Sequence, residues 1–188
     1  QWSNETQAID FYDIKSDVES LLSLTTNTFT FKAAEHPTLQ KGQTAKILLN
    51  DNAVGWVGTL APHAQKQLSL SKCYLFELDL ASIQQGSVAK YHAFSAYQKA
   101  ARDIALVIDE NIPANDLISS IRSLNQTYLV DVNLFDVYAG ENIESGKKSV
   151  ALNLSYQSVE ETLSDDQVNS QVSEVLALMQ TKFSATQR

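Results

Sequence analysis

The sequence has 188 residues, 44% hydrophobic and 19% charged, with only 6 Gly and 3 Pro, which fits one large or two small globular domains and excludes a disordered, collagen-like or low-complexity chain. No uncharged apolar run approaches the roughly 18 residues of a membrane span, so no membrane partner is expected. With 14 Lys+Arg against 22 Asp+Glu, the net charge of −8 has the wrong sign for holding nucleic acid by bulk attraction. DNA is not an expected partner, and any nucleic-acid role must rest on local shape. The opening Gln1-Trp2-Ser3-Asn4-Glu5 carries no basic or apolar leader and no initiator Met, and is expected to be cut from something longer. The single cysteine, Cys73, excludes an internal disulfide and a Cys-based zinc site and points to a reducing, cytoplasmic setting.

In chain order, Ile9–Tyr12 predicts a short strand, and Ser16-x-x-Glu19 has the capping-box spacing of a helix with Val18, Leu21 and Leu22 on one face. Thr28–Lys32, Ala45–Leu49, Val54–Leu60 and Cys73–Leu80 alternate or run apolar at strand length, which predicts a mostly antiparallel sheet. Gly55 and Gly58 lie inside one of these strands and are expected to serve close strand packing. The small, polar stretch Ala81–Ala89 marks a domain boundary, giving a first domain over 1–86 and a second over 92–188.

Arg102–Ile108 predicts the second domain's first strand. Pro113 opens a helix with Leu117, Ile118, Ile121 and Leu124 at helical spacing. Strands follow over Tyr128–Tyr138 and Lys148–Tyr156. Ser164-x-x-Gln167 caps a last helix, and Ser184–Arg188 supplies a short final strand. The order β-α-β-β-α-β is the ferredoxin-like arrangement, so the fold class is α+β: an antiparallel sheet-rich piece, then a ferredoxin-like domain.

That arrangement puts both helices on one face of the sheet and frees the other. Alternation assigns Ile104, Leu106, Ile108, Phe135, Val137, Val150, Leu152 and Leu154 to the helices, and Ala105, Val107, Asp136, Tyr138, Ser149, Ala151 and Asn153 to the free face. A base could lie flat there: Ala and Ser permit close approach, Tyr138 can stack, and Asp136 and Ser149 can bond a base edge. Arg102, Lys147 and Lys148 form the local basic cluster, read either as phosphate contacts or as a solvated turn.

Other chemistry finds no pattern. His36, His63 and His92 lack metal-ligand spacing, so no metal site is expected. Gly55-Trp56-Val57-Gly58 is no phosphate cradle, and the adjacent acid pairs 109–110, 160–161 and 165–166 suit capping and solvation. No Ser, His and Asp are arranged as a triad.

Asp10-Phe11-Tyr12-Asp13-Ile14-Lys15, His36-Pro37-x-Leu39-x-x-Gly42-Gln43, Val54-Gly55-Trp56-Val57-Gly58 and Phe76-Glu77-Leu78 resemble the end of the class II synthetase-like core in the bacterial phenylalanyl-tRNA synthetase β-subunit family. Arg102–Val107, Leu134–Tyr138, Gly146–Leu152, Thr162-Leu163 and Phe183–Arg188 resemble its ferredoxin-fold anticodon-binding domain, in the family's order. The resemblance implies a catalytically silent first domain within an α2β2 assembly, and a second domain that touches the anticodon of tRNA-Phe. The α subunit would carry the phenylalanine and ATP chemistry with Mg2+, leaving no cofactor and no catalytic residue in this chain. By position, the anticodon-facing role carries over to Ala105, Asp136 and Ser149, with Tyr138 and Ala151 beside them. Ala101 and Glu161 stand where the family commonly has Arg, which weakens phosphate contacts there. Ser16 and Gln40-Lys41 also depart from the usual pattern, away from the expected RNA face. The alternatives are a small-ligand or assembly module on the same fold, and third a stand-alone enzyme, since fold does not fix function.

Overall fold

The computed structural model describes residues 8–84, 91 and 94–188. These form two compact units, one over residues 1–91 and one over 92–188. The expected boundary at Gly86 lies outside the described residues, as does His92.

The first element among the described residues is a helix rather than the strand expected over Ile9–Tyr12: α1 spans Phe11–Leu22. Asp10 caps it, accepting from the Tyr12 amide at 2.6 Å, while Asp13 accepts from the Asp10 amide at 2.6 Å. This reciprocal box precedes the Ser16-x-x-Glu19 spacing, which falls inside the helix and caps nothing. Strands β1 (Phe29–Ala33), β2 (Leu39–Leu49), β3 (Asn52–Leu60) and β4 (Tyr74–Leu78) make one antiparallel sheet in the order β1-β2-β3-β4. Asn50 and Asp51 both take positive φ in the two-residue β2–β3 hairpin, as its turn geometry demands. Two short helices escape the sequence pattern. The helix α2 (Pro62–Gln67) starts on proline, and α3 (Leu80–Ile83) is capped by Asp79, so it ends the expected strand at Leu78. Val18 and Leu22 of α1 bury against Ala45, Ile47, Val54, Val57 and Ile83.

The glycines of β3 are there for space. A Cβ on Gly55 would lie 2.3 Å from the Glu77 carbonyl oxygen, and one on Gly58 would lie 2.8 Å from that of Gln43.

The second unit follows the expected order: β5 (Ala100–Asp109), α4 (Ala114–Ser123), β6 (Leu129–Tyr138), β7 (Lys147–Tyr156), α5 (Asp165–Phe183) and β8 (Thr186–Gln187). Its sheet is antiparallel with order β6-β7-β5-β8, so both helix crossovers share a face. Leu117 and Ile121 of α4, with Val168, Val175 and Met179 of α5, pack on Ile104, Leu106, Ile108, Val132, Val150, Leu152 and Leu154. Ser164 and Gln167 cap α5 reciprocally, as the spacing predicts.

Two residues expected in this core are not in it. The β6–β7 register slips between Leu134 and Asp136, so Phe135 has no partner across the strand and is 56% exposed. Val137 pairs with Val150 but is 49% exposed, near the end of the strand.

Tyr156 is wholly buried in this core, and its hydroxyl has no hydrogen-bond partner among the described residues. Burial, aided by Glu174, pushes that hydroxyl up to about 12. Tyr156→Phe keeps the ring and removes only the orphaned oxygen, so stability at pH 8 should hold or rise by about 1 kcal/mol. The folded state keeps a proton that the unfolded chain releases near pH 10, so the parent loses stability as pH rises from about 10 toward 12. Phenylalanine lacks that loss, and urea titrations at pH 8 and pH 11 should show the stability difference between the two proteins growing at the higher pH.

Candidate nucleic-acid interface

Residues in register across a sheet stand on the same side of it, so pairing defines the face opposite the helices. On β5 and β7 the fully buried Ile104, Leu106, Ile108 and Val150, Leu152, Leu154 alternate with less buried neighbours, as the sequence reading requires. One row of the open face is Asp136, Ala151 and Ala105, since Asp136 pairs with Ala151 and Ala151 with Ala105. The next row is Tyr138, Ser149 and Val107. The five residues expected to face a base are thus neighbours across three strands.

Their availability differs. Asp136 is exposed, and Ala105 and Ala151 are half-buried with nothing longer than a methyl group, which leaves a shallow floor. Ser149 is only 5% exposed between Tyr138 and Val107, so its hydroxyl is far less open than alternation suggests. Tyr138 is 40% exposed and held in place: its hydroxyl donates to the Glu141 carbonyl at 3.0 Å, and a Cβ on Gly140 would lie 2.7 Å from that hydroxyl oxygen. The ring is offered; the hydroxyl is already used. Glycine at 140 leaves the room in which the ring lies.

The basic cluster does not assemble as expected. Arg102 has the parity of Ile104, on the helix side, where its guanidinium bonds Asp165 at 2.5 Å and Asn169 at 3.3 Å. It ties the start of β5 to the first turn of α5 and is no part of the open face. Lys148 pairs with Ile108, also on the helix side, and donates to the Glu110 carbonyl at 2.8 Å. Lys147 alone of the three shares the open side, and it meets Glu144 at 2.5 Å. That hydrogen bond and charge hold the Glu144 carboxyl below its ordinary range. Asp109, at the same end, is lowered chiefly by hydrogen bonds from Asn111 and then by Lys148 and Lys147. Both carboxylates are fixed in their charged form, unlike groups poised for proton transfer.

Sequence reasoning missed Asn133. It pairs with Asn153, and Asn153 with Asp103, making a third row beside Asp136, Ala151 and Ala105. The slip at Phe135 reverses the alternation upstream, burying Val132 and turning Asn133 outward. A strict period of two would have put Asn133 against the helices.

His36 and His63 join no metal cluster. Among the described residues no group of three His, Cys, Asp or Glu could hold a metal ion. His36 lies against the Trp56 ring at 4.8 Å. Among those residues, no helix is long and apolar enough to cross a membrane.

Comparison with known proteins divides the chain in the same way. The family model of the ferredoxin-fold anticodon binding domain matches residues 95–188, and that of the phenylalanyl tRNA synthetase beta chain CLM domain matches residues 1–80. Among curated relatives, the phenylalanine–tRNA ligase beta subunit of Methylococcus capsulatus is 38% identical over the whole of this chain, which covers 24% of that protein. The beta subunits of Nitrosococcus oceani and Pasteurella multocida are 40% and 39% identical over 98% of this chain and 24% of their own lengths. The chain therefore spans about a quarter of the length of these relatives.

Proposed function

The chain belongs to the ferredoxin-fold anticodon binding domain family, with a phenylalanyl tRNA synthetase beta chain CLM domain before it, and on that premise we propose that it is the tRNA-reading portion of a phenylalanine–tRNA ligase β subunit. The substrate is tRNA-Phe, read at its anticodon. The partner is a cytoplasmic α subunit, in an α2β2 assembly, that joins phenylalanine to the tRNA with ATP and Mg2+. This chain's own part is to bind and orient RNA.

The observation that carries the reading is the Asp136–Ala151–Ala105 row. A base lies flat over the two alanines, where short side chains allow contact with the sheet. Asp136, an acceptor only, takes N–H donors from the base edge. The Tyr138 ring, fixed by Glu141 and accommodated by Gly140, forms a side wall for stacking. Phosphate attraction plays little part, because residues 92–188 hold seven Lys and Arg against thirteen Asp and Glu, and each of the three cations of the expected cluster already has a protein partner. Specificity resides in base edges; affinity needs the rest of the assembly.

The test is Asp136→Ala in the full-length assembled enzyme, titrated with native tRNA and an anticodon-substituted copy across salt. The preference for the native anticodon should fall about tenfold with the salt slope unchanged, since no cation is removed. Equal loss on both RNAs would remove base readout by Asp136.

A further inference from the structure

We propose that Asn133, backed by the Asn153–Asp103 pair, is a further specificity-determining residue of this face and reads the donor–acceptor edge of a second base next to the one held over Ala105 and Ala151. The inference rests on the reading of the face as an RNA surface and adds a second position to it.

Asn133, Asn153 and Asp103 lie in one cross-strand row, about 7 Å along the strands from the Asp136 row. Asn153 is bonded at both ends of its amide: the nitrogen donates to Asp103 at 2.6 Å and the oxygen accepts from Ser155 at 3.2 Å. These bonds fix the middle of the row and keep the Asp103 carboxylate from turning freely. Asn133 is exposed, and its side chain has no hydrogen-bond partner among the described residues. Below the row, Ala101 pairs with Ser155, so small side chains flank it on both sides along β5 and β7. Two flat bases fit there, one on each side of a polar ridge.

The chemistry of the ridge suits a base edge. A primary amide offers one donor beside one acceptor, and a base edge that offers the complement meets it with two parallel hydrogen bonds. The amide does not match the paired N–H donors of guanine, which suit a carboxylate such as Asp136. Asp103 adds a second acceptor for an exocyclic amine. No cation is needed, in keeping with the acidic balance of the unit.

The experiment uses the full-length assembled enzyme and a set of cognate tRNAs, each changed at one anticodon base. Asn133→Ala should cut the preference for the native base at one position about tenfold, leaving discrimination at the position read by Asp136 intact. Asn133→Asp, of the same size, should shift the preference at that position toward guanine, whose paired N–H donors suit a carboxylate. Unchanged preferences in both variants, or an equal weakening on every RNA, would overturn the inference while Asp136→Ala still loses its own discrimination. If Asp136→Ala and Ala151→Trp also leave binding untouched, the RNA reading of the face fails, and the inference with it.

Discussion

Tryptophan in place of Ala151 is expected to bring tRNA binding by the assembled enzyme down to general attraction, a loss of about 100-fold or more. Ala151 sits on the middle strand of three, paired with Asp136 on one side and Ala105 on the other, and its methyl is part of the floor on which a base would lie. An indole there occupies the space of the base and covers the Asp136 carboxylate. The fold should tolerate it, because the side chain leaves the sheet away from the buried Val150 and Leu152, and aromatic residues suit strands. Matching thermal unfolding of parent and variant, together with lost binding, would assign the loss to the face. Binding at parental strength would mean that RNA docks elsewhere.

Much of this face was legible in the sequence because β5 and β7 keep a strict period of two. Ala105, Ser149 and Ala151 follow from counting alone, and Arg102 and Lys148 could have been set aside by the same count, since they share parity with Ile104 and Val150. What defeats counting is β6. One extra residue at Phe135 moves Phe135 out of the core and turns Asn133 outward, and no composition signal marks the slip in Asn133–Tyr138. Counting puts Asp136 and Tyr138 on the open side because they lie beyond the slip. The burial of Ser149 and the clamp on Tyr138 depend on how side chains and a turn settle on one another, which strand periodicity does not encode. At the other end of the chain, two capping boxes competed for α1. Asp10 with Asp13 won over Ser16 with Glu19, which pulled Phe11 and Tyr12 from an expected strand into a helix.

The second large effect concerns the first unit. Gly55→Ala should destabilise it by about 3 kcal/mol or more, seen as a lower urea midpoint and faster amide exchange along β3 and β4. The added methyl would meet the Glu77 carbonyl oxygen at 2.3 Å and the Leu78 side chain at 2.9 Å. The leucine can turn aside, but the carbonyl belongs to the β4 backbone, which runs in register with β3 from Gly55↔Leu78 to Thr59↔Tyr74. Relief therefore requires the strands to part, at the cost of ladder hydrogen bonds beside buried Val54 and Val57. Gly140 makes the contrast, for its crowding atoms are the tip of the Tyr138 side chain, and turning the ring relieves them. One glycine therefore protects a backbone and the other a side-chain position. Amides of Ile104, Leu152 and Leu154 should keep their protection in Gly55→Ala, because the atoms it crowds all belong to β4. Unchanged exchange along β3 and β4 would show that the sheet yields at Glu77 without parting, and that space for the backbone is not what glycine supplies at position 55.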